Sequence, residues 1–576
     1  MEDIKRIPYG ISSFTEVVEQ NQYYVDKTMY LPLLEQQPSN LFLVRPRRFG
    51  KSIFLSMLKA YYDLSQKDKF RARFGNLWIG SRPTPLQGVY QVLHMDFSRV
   101  GGGVGEELAR NFNDYCCGSL DNFASIYQSC YYPGFAQEMK EQTTSTQKLN
   151  FLNWKAQNSG ARLYLIIDEY DNFTNNVLNE QGHEIYHAIT HATGFYREVF
   201  KKFKGMFERI FMIGVSPVTL DDLSSGFNIG WNISIKSQFN QMLGFSETDV
   251  RGILQYYKDA GWHNGDIDQM IAEMKPWYDN YCFAEASLDR DPKMFNCDMV
   301  FYYLRNYIDE GCSPKQMIDP NTRTDYTKMK KLIQLDHLDG DRRGVMHRIA
   351  EEGRITSELF TTFPAERITD AKVFPSLLFY YGMLTLTGTD GDQLVLGIPN
   401  NNVRKQYYEY LLEEFQKTAT DSLDLSNLRS IYKYMAYDGQ WRPALEFIAQ
   451  AYKDNSSVRS QIEGERNIQG FLQAYLSINS YYLTAPEMEM NHGFCDLFLM
   501  PDLMRYPEVK HSYILELKYL SAKDYEAHAE DQWQDAVRQL RLYTEAPRVR
   551  QMIQDTRLHC IVMQFSGWEL ARMEEI

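Results

Sequence analysis

The stretch Leu41-Phe42-Leu43-Val44-Arg45-Pro46-Arg47-Arg48-Phe49-Gly50-Lys51-Ser52 constrains the fold more than any other part of the chain. The apolar run Leu41 to Val44 reads as a buried strand. Beyond the loop, Ile53, Phe54, Met57, Leu58 and Tyr61 recur at helical spacing. A strand that turns through a basic, glycine-containing loop into a helix has the local geometry of a phosphate loop. In such a loop the backbone N–H groups and the helix N-terminus point at the anion. Gly50 lets the backbone approach, Lys51 reaches the β/γ-phosphates, and Ser52 ligates Mg²⁺. Arg45 stands where the usual G-x-x-x-x-G-K-[ST] pattern has its first glycine, and Pro46 lacks a donor N–H. Arg45, Arg47 and Arg48 are expected to make the loop anion-seeking. Gly-Lys-Ser is frequent enough by chance that a partner motif must decide between this reading and a basic helix start on the surface.

The partner is Arg162-Leu163-Tyr164-Leu165-Ile166-Ile167-Asp168-Glu169, an apolar strand that ends in two carboxylates. Asp168 is placed to hold Mg²⁺ opposite Ser52, and Glu169 to orient or deprotonate the attacking water. A third strand, Arg209 to Val215, ends in Ser216, a hydroxyl suited to the γ-phosphate or the water. Three strand ends of this kind favour an ATP site despite the missing glycine.

At 576 residues the chain exceeds one ordinary core, so two to four domains are expected. A net charge of −14 argues against a generally basic nucleic-acid coat and leaves only local patches for that contact. The eight cysteines include no C-x-x-C pair, so neither a zinc ribbon nor a disulfide framework is indicated. No stretch approaches the ~20 apolar residues of a membrane span, and MEDIKRIPYG has no apolar signal core. A cytoplasmic protein without membrane contact is the expectation.

Strands alternate with helical segments to about residue 240, which predicts a mostly parallel α/β sheet. Residues 245–370 read as helical. A hairpin follows, with Phe379–Thr387 and Leu394–Gly397 as its arms and a Gly/Asp turn between them. Helices before a hairpin suggest a winged-helix-like unit. From about 425 a new block begins: helices to about 480, strands to about 520, then a helix over 527–544. The expected division is 1–242 for the nucleotide-binding domain, 243–424 for a helical lid and winged-helix-like region, and 425–576 for a further α/β domain.

That last block carries its own chemistry. Asp496 lies near the start of the strand Gly493–Met500, and Glu516 and Lys518 fall on one face of the strand Ser512–Lys518. Paired strands would bring the three together. Two carboxylates bind one or two divalent ions, Mg²⁺ or Mn²⁺, and a lysine helps activate water or stabilise a charged phosphate. Glu465, on an upstream helix, is a further candidate metal ligand. The alternative is a degenerate fold kept for binding.

The loop R-P-R-R-F-G-K-S, with Tyr24-Val25-Asp26-Lys27-Thr28 before it, resembles a bacterial AAA-ATPase-like family with a C-terminal PD-(D/E)XK nuclease domain. Ile7-Pro8-Tyr9-Gly10, Leu243-Gly244-Phe245, Trp277-Tyr278-Asp279 and Gly397-Ile398-Pro399-Asn400 extend the resemblance through most of the chain. It implies an AAA-like P-loop fold with Arg45 native to the loop, and a nuclease-like domain. In that domain Glu465, Asp496, Glu516, Lys518 and the Gln539/Tyr543 helix match position by position. Cys495 departs from the proline of the family's name, and Gln469 stands where a histidine is expected. Two functions stay open: an ATP-regulated, metal-dependent nuclease acting on DNA before RNA, as a monomer or an oligomer, or a P-loop switch whose nuclease fold is inactive.

His183-Glu184-Ile185-Tyr186-His187 fits H-E-x-x-H, with His191 on the same helical face. It follows the Asp168-Glu169 strand, where a helix should pack on the sheet, and no zinc-protease strand arrangement precedes it. Structural or loosely metal-binding histidines are expected there, not a protease.

Overall fold

In the computed structural model, residues 4–190, 194–218, 230–290, 293–314, 316–321, 330, 340–418, 425–454, 465–490, 493–544 and 547–576 are described. The chain divides into two compact units, Met1–Arg342 with Thr356–Pro399, and Arg343–Ile355 with Asn400–Ile576. No helix among the described residues is long and apolar enough to cross a membrane.

The first unit is built on strands β1 (Asn40–Val44), β2 (Gln91–Asp96), β3 (Leu163–Asp168), β4 (Arg209–Gly214) and β5 (Trp231–Asn232). All neighbours run parallel, in the order β2-β3-β4-β1-β5. The central strands are apolar on both faces: Leu163 to Asp168 is buried at every position. That is how a parallel strand covered by helices on both sides reads in sequence. The order sets β4 between β1 and β3, so the loop after β1 and the carboxylates after β3 open at the same edge of the sheet. Ligands of open α/β sheets bind at this carboxyl edge.

The helix Lys51–Tyr62 leaves the loop through Gly50, whose φ of +81° is a left-handed conformation that favours glycine. Farther along, the stretch expected to begin a hairpin at Phe379 is instead the buried helix Phe374–Tyr380. Pro375 in its first turn explains the difference, because its missing N–H would have no helical partner there anyway. After a short strand β6 (Arg354–Ser357), the hairpin itself is β7 (Thr385–Asp390) and β8 (Gln393–Gly397), joined over Gly391-Asp392.

The second unit holds a sheet of β9 (Tyr482–Met490), β10 (Gly493–Pro501), β11 (His511–Leu520), β12 (Arg557–Ser566) and β13 (Glu569–Glu575), in the order β13-β12-β11-β10-β9. β10 pairs antiparallel with β11, as expected, and β11 pairs parallel with β12 across the crossover helix Tyr525–Thr544. That helix covers one face of the sheet. Its Trp533, Ala536, Leu540 and Tyr543 pack with Phe498, Ile514 and Val562. Strands β12 and β13 are not anticipated in the sequence reading, although Leu558–Phe565 is an almost unbroken apolar run.

Candidate functional sites

At the phosphate loop, a cleft of about 480 Å³ is lined by Arg47, Arg48, Gly50, Lys51 and Ser52 together with Glu169. Ser52 Oγ donates to Asp168 Oδ2 at 2.7 Å, which brings the ends of β1 and β3 together as the sequence suggested. Lys51 Nζ is buried and donates to the carbonyls of Arg45 (3.3 Å) and Pro46 (3.0 Å). Burial lowers the Lys51 pKa, against the pull of Glu169 and Asp168. Burial pushes Asp168 up to about 6, opposed by the Ser52 hydrogen bond and by Lys51. Its Oδ1 is buried with no hydrogen-bond partner. Glu169 has the left-handed φ of +47°, unusual for a side-chain-bearing residue, and accepts from Asn172 Nδ2 at 2.7 Å.

Three arginines were expected to face the anion, and the structure corrects one of them. Arg45 is 1% exposed and turned into the protein. It donates to Val44 O (3.0 Å), Ser234 O (2.6 Å) and Phe239 O (3.1 Å), and lies 4.2 Å from the Phe283 ring centroid. Where other phosphate loops carry a small glycine, this one carries a strut. Arg47 and Arg48 remain at the cleft. Arg48, with φ of +66°, donates to Asn321 O at 2.9 Å and lies 3.5 Å from Asp298 Oδ2.

Phe49 and Ser216 sit at the loop and the β4 end but outside the lining of the cleft. Phe49 is buried edge-on to Tyr281 and Phe283. Its carbonyl accepts from Gly244 N at 3.1 Å, and a Cβ at Gly244 (φ +88°) would press on the Phe49 ring at 3.0 Å. The Leu243-Gly244-Phe245 motif therefore seats the phosphate loop. Ser216 is fully buried, and its Oγ accepts from Val218 N at 3.3 Å. The Ser216 backbone N donates at 2.6 Å to Asp171, a residue the sequence reading passed over. Asp171 also accepts from Val215 N at 3.2 Å and from Asn175 at 3.0 Å, so it ties the β3 and β4 ends together. Burial pushes it up to about 6, helped by Glu169 and opposed by those N–H groups. Its place three residues after Asp168 was the available signal.

An apolar pocket of about 70 Å³, lined among others by Tyr24, Phe49, Phe54, Leu243 and Phe301, abuts the cleft and shares Gly50, Ile53 and Asp298 with it. Pro8 lines this pocket and Gly10 the cleft, which places the Ile7-Pro8-Tyr9-Gly10 motif beside both.

In the second unit, Leu497 faces Leu515 across β10 and β11. One step further in that register, Asp496 stands opposite Glu516, and facing residues share a sheet face. Asp496 Oδ2 accepts from Leu517 N at 2.6 Å, and Lys518 Nζ donates to Glu516 Oε1 at 2.8 Å. Glu516 is 2% exposed, and its Oε2 has no hydrogen-bond partner. Desolvation, then the neighbouring Glu516, pushes Asp496 up to about 7. Desolvation also raises Glu516, against Lys518. Burial alone would lower Lys518, but Glu516 and Asp496 outweigh it and raise its pKa. Glu465 opens the helix Glu465–Leu476 and adds to the repulsion on both carboxylates. No group of three or more His, Cys, Asp or Glu positioned for a metal occurs among the described residues. Gln469 Nε2 donates to the Asp496 carbonyl at 2.8 Å, so the residue in the histidine's place holds the backbone of β10. Tyr543 is buried near both carboxylates, whereas Gln539 is exposed.

The H-E-x-x-H stretch lies on a helical run, Asn172–Thr190, that breaks at Gly182 (φ +83°). Glu184 is exposed, and His187 Nε2 lies 2.9 Å from Glu366 Oε1. The His183 side chain and His191 lie outside the described residues.

A P-loop domain with its acidic strand end, and a sheet carrying an Asp/Glu/Lys cluster, define the class: an α/β protein with a P-loop domain and a nuclease-like C-terminal domain. Residues 8–224 match the family described as Predicted AAA-ATPase, and residues 463–575 match the PD-(D/E)XK nuclease superfamily. The chain therefore carries a predicted AAA-ATPase domain and, toward its C-terminal end, a PD-(D/E)XK nuclease-superfamily domain. It is 29% identical over 270 residues to the uncharacterized protein in the vnfD 5′ region of Azotobacter chroococcum mcd 1, a match covering 45% of this chain. The chain spans about half (48%) of that relative's length. Solved structures with partial likeness include Cdc6p from Pyrobaculum aerophilum (10% identity, 67% of this chain, 92% of that one, TM-score 0.24). The Aeropyrum pernix ORC2 protein in ADPNP-ADP complexes has the same identity and coverages, with a TM-score of 0.30. Scores this low carry no argument.

Proposed function

We propose that the first unit binds ATP with Mg²⁺ and hydrolyses it, and that the PD-(D/E)XK domain is a metal-dependent nuclease on nucleic acid, DNA before RNA, under nucleotide control. One observation, repeated in both units, carries this reading. A buried carboxylate has one oxygen bonded and the other bare: Asp168 beside Ser52, and Glu516 beside Lys518. A bare carboxylate oxygen in a dry site is costly unless a cation meets it. Hard oxygen donors of this kind suit Mg²⁺ or Mn²⁺.

In the nucleotide site Ser52 and Asp168 would hold Mg²⁺, Lys51, Arg47 and Arg48 would bind phosphate oxygens, and the apolar pocket would take the base. Phe49 and Gly50 shape the loop, and Ser216 braces the end of β4 through Asp171. Glu169, held by Asn172, orients or deprotonates the water. In the nuclease site Asp496 and Glu516 would hold the ion, with Glu465 as an outer ligand. The ion supplies charge neutralisation and acidifies water, while Lys518 neutralises the scissile phosphate. The reading keeps the three-part division at 242 and 424 and a cytoplasmic place.

The absence of a three-ligand metal group among the described residues favours a second reading, a P-loop switch with an inactive nuclease fold. Plasmid cutting in Mg²⁺ or Mn²⁺, with and without ATP, separates the two. The nuclease reading expects cutting by wild type and none by Glu516→Ala; equal, negligible cutting by both would leave the switch.

A further inference from the structure

We propose that Asp298 reads the ribose of the bound nucleotide and makes the site selective for ribonucleotides over deoxyribonucleotides. This rests on the nucleotide reading above and adds a specificity-determining residue to it.

The phosphate cleft and the apolar pocket meet at three residues, Gly50, Ile53 and Asp298. A nucleotide with phosphates on Lys51, Arg47 and Arg48 and its base in the apolar pocket must carry its sugar across that junction. Of the three residues there, Asp298 alone has a polar side chain. The other acid lining the cleft, Glu169, stands after β3 and is bonded to Asn172. It belongs to the phosphate end.

The fold gives Asp298 a defined setting. It lies in the first turn of the helix Cys297–Glu310, whose N-cap Asn296 accepts from Met299 N at 3.3 Å. A negative charge is favourable at that end of a helix. The Arg48 guanidinium lies 3.5 Å from Asp298 Oδ2, and an ionised carboxylate offers about four lone-pair sites for hydrogen-bond donors. A carboxylate that accepts hydrogen bonds from sugar hydroxyls discriminates between sugars, because a deoxy sugar forfeits a charge-assisted hydrogen bond there.

Asp298 could instead serve only the helix end and Arg48. The two roles differ in one readout. A structural or charge effect alters the affinity for every nucleotide alike, whereas a ribose reader alters the ratio between sugars. Calorimetric titration of the full chain with the Mg²⁺ complexes of ATP, 2′-deoxy-ATP and 3′-deoxy-ATP measures that ratio. Wild type is expected to bind at least one deoxy analogue on the order of tenfold more weakly than ATP. Asp298→Ala is expected to bind all three alike. Asp298→Asn keeps the shape and decides the matter if the alanine variant does not fold; its deoxy penalty should shrink to a few-fold at most. The proposal is overturned if wild type binds the three alike, if the penalty persists in the variants, or if the variants shift all three equally with the ratio intact. Failure of the nucleotide reading looks different: wild type would bind none of the three, and both ideas would fall.

Discussion

Asp168 and Glu516 show at the scale of single residues why these sites are expensive to build and what they are for. Each holds a buried carboxylate oxygen that the protein itself does not satisfy. Lys51 lines the cleft within the electrostatic reach of Asp168 and Glu169, so Lys51→Ala should remove the main phosphate contact and abolish ATP binding by calorimetry. Unchanged affinity would sink the phosphate-loop assignment. Glu169→Gln preserves shape and can still pair with Asn172, so it should keep nucleotide binding while slowing turnover by about 10² or more. Equal loss of binding in that variant would mean that Glu169 holds the loop rather than the water. Lys51, Ser52, Asp168 and Glu169 were legible in sequence because apolar strands announce them: Asp168 and Glu169 close one directly, and Lys51 and Ser52 open the helix after the loop that follows another. Asp171 was not, since its partners are backbone N–H groups after β4, some 44 residues on. Ser216 was legible as a strand-end hydroxyl, but its orientation depends on the turn to Val218, which no local pattern records.

Among the elements, the phosphate loop is seated by more than its own sequence. Arg45 joins the end of β1 to Ser234 and Phe239, beyond β5, and Gly244 meets the loop from the other side. Residues that read as punctuation or charge in one dimension act as braces in three. Arg45→Ala should leave three carbonyls without their charged donor in a dry site and cost on the order of 3 kcal/mol, read by urea denaturation. Arg45→Lys should recover little, because an ammonium cannot reproduce a planar fork across three carbonyls. Wild-type stability in the alanine variant would show that the strut is idle. The same scale shows where sequence reading ran out. β12 is apolar enough to find, but its place beside β11 depends on a crossover through Tyr525–Thr544, whose own pattern gives length and amphipathicity, not destination. β13, Glu569–Glu575, is mostly charged and exposed and carries no strand signal of its own. The stretch before the hairpin is apolar on all sides, a pattern that a buried strand and a buried helix share; Pro375 in the first turn fits the helix.

Across the whole molecule, both candidate sites concentrate carboxylates that the fold holds more weakly acidic than solvent would: Asp168 and Asp171 near 6, and Asp496 near 7. Unfolded, each would titrate near the ordinary aspartate value of about 3.9. Between about pH 4 and 7 the folded chain therefore holds protons that the unfolded chain has lost. Stability tracks the proton difference between the two states, so it should fall as pH rises through that window and stay low above it. The stabilising contribution of these groups is fully present below pH 4 and is lost as they ionise. Asp496→Asn removes one of the largest of them while keeping an oxygen for the Leu517 N–H. Without divalent metal at pH 7.5 this variant should melt higher than wild type, by several degrees if about 1–2 kcal/mol is recovered. Adding Mn²⁺ should reverse the order, because an ion bound to the native state stabilises wild type by mass action and has lost a ligand in the variant. Calorimetric scans at pH 5 and pH 7.5, with Mn²⁺ and with a chelator, carry all four arms. A variant that melts below wild type in chelator at pH 7.5, or a wild type that gains nothing from Mn²⁺, would show that the Asp496 carboxylate serves the fold and not a metal.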